Sequence, residues 1–509
     1  MNNTLILDER AIELEDLAPI LSDQAPHLEL APETREAIET SRKVIEKVLA
    51  DGKTVYGVNT GFGRLANKSI PEDKLKLLQK NLILSHATGV GSPLSVGVSR
   101  LMLFLRIRAL SRGCSGVRVE LVERLIELFN RDLIPVIPQQ GSVGASGDLA
   151  PLAHMALCLL GMGEIWKKGE RRETAEVFRE EGIDSFVLQA KEGLGLINGT
   201  QCMTAIGVRT WLEGMRLADA ADIACAMSLE ALRGSVQPFQ AKVHEARGQL
   251  GQLECARHLR KLLEGSEIIP SHRDCDKVQD PYSLRCVPQV HGAVRDCLRF
   301  VRGILEAEVN AVTDNPLVFA DGDVISAGNF HGQPVAQAMD FLGIALSTLG
   351  NISERRIEQM VNPLLSGLPA FLAPNPGIES GLMIPQVVAA SLASENKVLA
   401  HPSSVDTIPT SANQEDHVSM GTTAARHARD IARNIARILG IEMICAAQGL
   451  EFDRGLKAGK GVEAAYHCLR KSIPPLERDR FLAPDLEKAF QLILQGDIQD
   501  AAARAIQTT

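Results

Sequence analysis

The chain has 509 residues and a formal net charge of −9; 45% of its residues are hydrophobic and 23% are charged. The negative balance argues against a protein that binds nucleic acids by general electrostatic attraction. No stretch of about 18 uncharged apolar residues occurs, as a membrane-spanning helix would need. The N-terminus, MNNTLILDERAIELEDL, lacks the basic start and apolar core of a signal peptide.

Helical patterning dominates the chain from its first third onward. In Arg118–Asn130, apolar residues recur at the i, i+3, i+4, i+7 spacing of one helical face. Three longer segments are rich in Ala, Gly and Ser and apolar over much of their circumference, which predicts long helices packed closely on others. These segments are Cys202–Gly234, Pro334–Asn362 and Val418–Phe452. Part of their surface is expected to meet neighbouring subunits, so an oligomer is expected rather than a monomer.

Strand candidates are few and short, namely Thr54–Val58, Leu317–Phe319 and Val324–Ser326. The predicted fold class is therefore mainly α. We expect a long central helix bundle with a smaller, mixed N-terminal domain that carries part of the active site. The predicted boundaries are residues 1–112 for the N-terminal domain and 113–509 for the helical core domain.

Cysteine usage bears on the compartment and on metal binding. Ten cysteines are scattered between Cys114 and Cys468, and no two form a C-x-x-C pair. This pattern is typical of reduced, mostly buried thiols. The sequence predicts a cytoplasmic protein with no disulfide framework and no metal ligand set.

Several polar segments between the helices are more elaborate than plain turns. They include TVYGVNTGFG, LSHATGVG, LINGTQ, VQDPYSLRC, GNFHGQP and TSANQEDHVSMG. Loops on a rigid scaffold often carry function. Two of the three tyrosines, Tyr56 and Tyr282, fall in these loops. A loop phenol can act as a general acid or base if its pKa is lowered, or it can simply bury its ring and bond its hydroxyl to the backbone.

The stretch GSVGASGDLAPLAHMA, Gly141–Ala156, places Ala145-Ser146-Gly147 between further glycines and an aspartate. It is either an ordinary glycine-rich turn before a helix or a place where the backbone itself reacts. It lacks the last glycine of the G-x-S-x-G hydrolase elbow, no P-loop lysine follows it, and GVNTGFG does not make a G-x-G-x-x-G motif.

The stretch GSVGASGDLAPLAH resembles the prosthetic-group loop of the aromatic amino acid ammonia-lyases, and the resemblance extends from about residue 5 to about residue 499 with the family's motifs in order. It implies that Ala145, Ser146 and Gly147 cyclise to 4-methylideneimidazole-5-one (MIO), within the loop at 141–150. In this ring the Gly147 amide nitrogen bonds to the Ala145 carbonyl carbon, two waters leave, and Ser146 becomes a methylidene. Small residues suit the reaction because they allow the compressed backbone.

The resemblance also implies roles for residues in the other loops. Tyr56 matches the base for the β-proton, so a nearby positive charge or dipole is expected to lower its pKa. Arg285 matches the clamp on the substrate carboxylate. Further matches are Asn198 and Tyr282 for contact with the prosthetic group, Gln279 and Phe330 for the pocket lining, and His86 with Glu415 for the substrate imidazole.

Ser85-His86 and Glu415 point within the family toward its histidine-specific members. The expected reaction is loss of ammonia from L-histidine to give trans-urocanate, the first step of histidine degradation, in a homotetramer without metal or nucleotide. Alternatives are a tyrosine or phenylalanine ammonia-lyase, a 2,3-aminomutase that returns the amine to the β-carbon, or an inactive helical scaffold. From the residues alone, His86 could be a satisfied polar side chain beside a helix, and Glu415 could cap the helix expected near Val418.

Overall fold

The computed structural model describes residues 4–272, 277–452 and 455–507. The chain is 61% helical with 7% strand, so the prediction of a mainly α protein is confirmed. In the described part, the helices are α1 (Pro32–Ala50), α2 (Leu75–His86), α3 (Val96–Ser111), α4 (Val119–Asn130), α5 (Leu149–Leu157), α6 (Thr174–Glu181), α7 (Glu192–Ile197), α8 (Gln201–Ala231), α9 (Ala241–Glu245), α10 (Leu250–Leu262), α11 (Ile268–Ser271), α12 (Tyr282–Arg285), α13 (Val287–Val309), α14 (Gln333–Val361), α15 (Pro363–Ser366), α16 (Met383–Leu399), α17 (Gly421–Glu451), α18 (Lys460–Arg470), α19 (Ala483–Gln495) and α20 (Asp497–Gln507).

The three long apolar segments of the sequence form α8, α14 and α17, as predicted, with 31, 29 and 31 residues. Their small residues allow close packing. A Cβ added to Gly207 of α8 would lie 3.0 Å from the Met339 sulfur of α14, and one added to Gly350 of α14 would lie 2.5 Å from Ile435 of α17. Helix α14 is long and apolar enough to cross a membrane, but 61% of its most apolar window is buried within the protein, as in the core helices of soluble proteins.

The chain packs as two units that are not contiguous in sequence. Unit 1 comprises residues 1–209, 302–340 and 402–426, and unit 2 comprises residues 210–301, 341–401 and 427–509. The division at residue 112 stays a prediction, because the packing units describe compactness and not independent folding.

The strands all lie in unit 1 among the described residues. They are β1 (Thr4–Leu7), β2 (His27–Leu30), β3 (Val90–Pro93), β4 (Ile134–Pro135), β5 (Pro138–Gln140), β6 (Glu164–Lys167), β7 (Glu170–Glu173), β8 (Leu317–Val318) and β9 (Val324–Ile325). Strands β1 and β2 are parallel, whereas β3–β5, β4–β6–β7 and β8–β9 are antiparallel. The β3–β5 pair matters most for function, since β5 leads directly into the loop at Gly141.

One predicted strand is wrong. Thr54–Val58 forms a turn and not a strand. The side chain of Asn59 takes the hydrogen bonds that a neighbouring strand would otherwise make to this backbone. The Asn59 Oδ1 accepts from the Val55 amide at 2.9 Å, and its Nδ2 donates to the Lys53 carbonyl at 2.9 Å. Asparagine commonly stabilises turns in this way.

Unit 2 contains a buried polar cluster around Asp222 of α8. The Asp222 carboxylate accepts from His291 Nδ1 at 2.7 Å, His258 Nδ1 at 2.9 Å, Cys255 Sγ at 3.1 Å and Arg295 Nη2 at 2.6 Å. Burial alone would raise the pKa of Asp222, but Arg295 and the two histidines hold that pKa well below its usual range. Ligand atoms of Asp222, Cys255 and His291 lie within 4.8 Å of one another, as metal ligands would. Because Arg295 already neutralises the carboxylate, we interpret the cluster as a hydrogen-bonded ion pair; the absence of a metal stays a prediction.

Replacing Asp222 with alanine is expected to lower the free energy of unfolding by about 3–5 kcal/mol, because it removes the buried counter-ion of Arg295 and the acceptor that His291 and Cys255 share. Asp219 offers a matched control, since it binds the same Arg295 Nη2 at 2.8 Å but its side chain is 48% exposed. Asp219→Ala is expected to change stability by at most about 1 kcal/mol. Thermal unfolding of both variants checks this, and equal shifts in Tm would contradict the assignment.

Candidate active site

The Ala145-Ser146-Gly147 loop lies between β5 and α5, and its backbone turns sharply. Gly144 has φ +68° and Gly147 has φ +73°, in the left-handed region that favours glycine. A Cβ at position 147 would stand 2.2 Å from the Gly199 carbonyl oxygen. Only glycine therefore fits at Gly147, both for its conformation and for its close contact.

The buried carboxylate of Asp148, directly after Gly147, stabilises this loop through hydrogen bonds. Asp148 is fully buried and accepts hydrogen bonds from Ser142 Oγ at 2.8 Å, from the Met203 amide at 2.9 Å and from the Thr422 hydroxyl. Burial raises the pKa of Asp148, and these donors oppose that shift. Its own amide donates to the Gly199 carbonyl at 2.7 Å. Sequence reasoning did not assign Asp148, although its place directly after the glycine was a usable signal.

The segments before α14 and α17 hold the other side of the loop. The Gly144 carbonyl accepts from Ser419 Oγ at 2.8 Å and from the Gly332 amide at 3.2 Å, and the Met420 amide donates to the Val143 carbonyl at 2.8 Å. The GNFHGQP and TSANQEDHVSMG segments thus meet at the loop. Phe330 lies two residues before Gly332 and is half-buried.

Ser146 contacts two of the predicted site residues. Its hydroxyl donates to the Glu415 carboxylate, and its carbonyl accepts from Asn198 Nδ2 at 2.8 Å. Glu415 also accepts from Thr410 Oγ1 at 2.6 Å and from Ser411 Oγ at 3.0 Å. Helix α17 begins only at Gly421, so the carboxylate faces the loop and does not cap that helix.

The charge of the Glu415 carboxylate acts on both Tyr56 and His86. Burial raises the pKa of Tyr56; the Gly63 amide, which donates to the phenol oxygen at 3.4 Å, lowers it, and the charge of Glu415 raises it further. The expectation of a lowered phenol pKa is therefore wrong for the chain as described. Burial lowers the pKa of His86, opposed by its contact with Leu82 and by Glu415. The structure thus brings Tyr56, His86 and Glu415 into one electrostatic neighbourhood.

Ser85 orients the His86 ring. Its hydroxyl lies 3.1 Å from the Leu82 carbonyl, to which it donates, and 3.0 Å from His86 Nδ1. We assign the Nδ1–H tautomer to His86, in which the Ser85 O–H donates to the Leu82 carbonyl and the Ser85 oxygen accepts from Nδ1–H. This leaves Nε2 of a neutral His86 with a free lone pair.

Three predicted residues, Gln279, Tyr282 and Arg285, lie in unit 2, outside the group assembled in unit 1. Tyr282 begins the short helix α12 with 71% of its surface exposed, so it does not bury its ring. The Arg285 guanidinium lies 4.6 Å from the centroid of that ring, and its buried Nε has no hydrogen-bond partner in the part of the chain that the structure describes. Gln279 is exposed.

Arg106 of α3 is a second supporting residue that sequence reasoning missed. It is fully buried and donates to the carbonyls of Thr313 at 2.9 Å and Asn198 at 3.4 Å, to Gln201 Oε1 at 3.1 Å and to the Gly195 carbonyl. Burial lowers its pKa to about 10, opposed by Asp314. Arg106 therefore holds the backbone of Asn198 in place. Charged residues inside the apolar run LMLFLRIRALS were the signal.

A mainly helical scaffold with an Ala-Ser-Gly turn, framed by a tyrosine, a histidine, an asparagine and a glutamate, defines the class as a lyase of the ammonia-lyase type. The model of the family described as aromatic amino acid lyase matches residues 12–471. The histidine ammonia-lyase of Anaeromyxobacter dehalogenans is 51% identical over 506 residues, covering 97% of this chain and 99% of the relative. The chain belongs to the aromatic amino acid lyase family, and it is a carbon–nitrogen lyase.

Solved structures show the same fold with more than one activity. Histidine ammonia-lyase from Trypanosoma cruzi has a TM-score of 0.91 and 42% identity, covering 99% of this chain and 95% of its own. Tyrosine aminomutase from Streptomyces globisporus has a TM-score of 0.93 and 35% identity, covering 99% of both chains. The fold therefore does not distinguish elimination from amine migration; the side chains of the site must.

Proposed function

We propose that this lyase eliminates ammonia from L-histidine and releases trans-urocanate. The observation that carries the proposal is that Glu415 binds the Ser146 hydroxyl of the Ala-Ser-Gly turn and lies near enough to His86 for its charge to raise the pKa of that imidazole. The full-length relatives from Anaeromyxobacter dehalogenans and Trypanosoma cruzi, both histidine ammonia-lyases, support this substrate over tyrosine or phenylalanine. A carboxylate and a neutral imidazole are the partners that a polar aromatic ring requires, whereas a phenyl ring would leave both unpaired.

The electrophile of this chain is proposed to be MIO, formed from Ala145, Ser146 and Gly147. The residues present fit such a group. Gly147 has no side chain to hinder its amide, Asn198 Nδ2 donates to the Ser146 carbonyl at 2.8 Å, and the Ser146 hydroxyl that must leave is hydrogen-bonded to Glu415. Once formed, the ring supplies an electrophilic carbon that turns the substrate amine into a better leaving group.

The remaining steps belong to the chain's own side chains. Tyr56 accepts the β-proton, for which its phenol must first be deprotonated. His86 Nε2 and Glu415 bind the substrate imidazole, and Asn198 donates a hydrogen bond toward the oxygen on which negative charge develops. Phe330 forms an aromatic wall.

Gln279, Tyr282 and Arg285 are proposed to complete the pocket, with Arg285 holding the substrate carboxylate through its guanidinium. We also propose that the protein is a homotetramer and that it is cytoplasmic. Unit 2 carries large exposed apolar side chains on consecutive helices, which is typical of surfaces that other chains cover. These include Phe300 of α13, Phe341 and Ile344 of α14, and Ile384, Val387 and Val398 of α16.

The proposal is tested by incubating the purified protein with L-histidine and following the ultraviolet absorbance of urocanate. L-Tyrosine and L-phenylalanine serve as competing substrates in parallel reactions. We expect urocanate from histidine at a kcat/KM at least about 100-fold above the other two, since a phenyl ring leaves both polar groups of the site unpaired and a phenol offers one hydroxyl in place of two ring nitrogens. Chiral chromatography for β-amino acids tests the 2,3-aminomutase alternative. Faster turnover of tyrosine, or β-histidine as the main product, would overturn the assignment.

A further inference from the structure

The turn that carries His86 meets the prosthetic-group segment at one point, where Gly89, Gly141 and His154 come together. Helix α2 ends at His86, and the turn that follows leads into β3. Strand β3 pairs with β5 through Val90 and Gln140, one residue before Gly141. Helix α5, which begins directly after the Ala-Ser-Gly loop, packs against α2 and presents His154 to the turn.

The Gly89 amide donates to His154 Nε2 at 3.0 Å. A backbone amide is only a donor, so Nε2 must be the unprotonated nitrogen of a neutral imidazole and Nδ1 must carry the proton. Burial lowers the pKa of His154, which favours this neutral form. Because its acceptor nitrogen is engaged by the backbone, His154 is not available to take a proton from substrate.

Gly89 permits the contact by its lack of a side chain. A Cβ at position 89 would lie 3.3 Å from the His154 Cδ2 and Nε2 atoms and 3.3 Å from the Gln140 carbonyl oxygen. Gly141, with φ +126°, closes the opposite side, since a Cβ there would lie 3.3 Å from the Gly89 Cα. The backbone of the His86 turn is thus seated directly on the start of the Ala-Ser-Gly loop and on α5.

We propose that His154 is a positioning residue for substrate binding: through its hydrogen bond to the Gly89 amide, it holds the His86 turn at a fixed place relative to the Ala145-Ser146-Gly147 loop. This inference rests on the proposed function, in which His86 binds the substrate ring. His154 affects how the substrate imidazole fits the site and does not affect formation of the prosthetic group. The reason is that His154 contacts the His86 turn and not Ala145, Ser146 or Gly147.

Two substitutions at this position separate the hydrogen bond from the volume of the side chain. His154→Leu fills similar space without an acceptor, whereas His154→Gln places an amide oxygen near the position of Nε2. We expect His154→Leu to raise KM for L-histidine about 10-fold, the scale of one lost hydrogen bond to a partly buried donor, with kcat within about 3-fold of wild type. His154→Gln is expected to keep KM within about 2-fold of wild type. Gly89→Ala is expected to raise KM as His154→Leu does.

Intact mass and Tm accompany the kinetics. All three variants are expected to show the same loss of two waters as wild type, about 36 Da, because the ring-forming residues are untouched. An unchanged KM in His154→Leu, a failure of His154→Gln to restore it, or a loss of kcat together with an unmodified mass would each overturn the proposal. If the wild-type enzyme prefers another aromatic amino acid, the proposed substrate fails, and the same KM comparison on the preferred amino acid still decides the role of His154.

Discussion

Ser146→Ala is expected to leave a folded protein whose turnover of L-histidine is at least about 10³-fold lower, because without the covalent electrophile only binding and acid–base groups remain. The Ser146 side chain is the source of the hydroxyl that must leave to form the methylidene. No other residue of the tripeptide can replace it, since Ala145 and Gly147 carry no oxygen on their side chains. Steady-state assay of urocanate formation measures the loss.

Intact mass provides the internal control for that variant. Wild-type protein is expected to be about 36 Da lighter than its sequence mass, whereas Ser146→Ala can lose at most the one water of ring closure, about 18 Da. Ser142 lies in the same loop but is not one of the three reacting residues; its hydroxyl donates to Asp148 at 2.8 Å and lies 3.5 Å from the Gly147 carbonyl oxygen. Ser142→Ala should therefore keep the full mass loss. Wild-type-like turnover in Ser146→Ala would refute the assigned electrophile.

Tyr56→Phe is expected to lower kcat by about 10²- to 10⁴-fold, the contribution of a positioned general base. Burial and the charge of Glu415 raise the pKa of this phenol, so only a small fraction is deprotonated at neutral pH. The sign follows directly: a base must lose its proton to act, so the wild-type rate should rise with pH through the neutral and alkaline range. Tyr56→Phe should abolish that rise.

Tyr466 supplies a matched control for loss of a tyrosine hydroxyl. It lies in unit 2, is buried, and donates to the Glu451 carboxylate. Tyr466→Phe should leave kcat and its pH dependence near wild type, with a loss of stability of about 1–3 kcal/mol for the hydrogen bond to a charged group. A pH profile that persists in Tyr56→Phe would assign the base to another residue.

The spacing of apolar residues along the chain was sufficient to predict elements that bury one regular face. The apolar stripe of Arg118–Asn130 became α4, with Val122, Leu125, Ile126 and Phe129 buried, because a 3.6-residue period leaves one face to pack. Thr54–Val58 shows where residue type fails: the segment was a strand candidate, but the side chain of Asn59 bonds the backbone of Val55 and Lys53 within the turn. A side-chain-to-backbone bond of this kind competes with sheet formation without changing the hydrophobic pattern.

Charged residues in the core were the harder part of the site. Asp148 and Arg106 hold the Ala-Ser-Gly loop and Asn198. Their positions in the sequence were a signal that they matter, but they did not indicate which groups they bind. Their contribution to stability depends on burial. A buried donor or acceptor without a partner costs free energy, whereas one with a partner fixes the position of the group that it binds. Burial of a charged residue is decided by the whole fold.

The sequence by itself determined that this protein is mainly helical, that it belongs to a lyase family, and which tripeptide is available to react. Those properties depend on the periodicity of apolar residues and on residue type, both of which are visible in the amino-acid sequence. Only the tertiary structure decided that Ser146 meets Glu415 across 269 residues, that the environment of Tyr56 favours its protonated form, and that His154 supports the His86 turn. The reason is physical: pKa values and hydrogen-bond partners follow from distance and water exclusion, and distant segments acquire both only when they pack together.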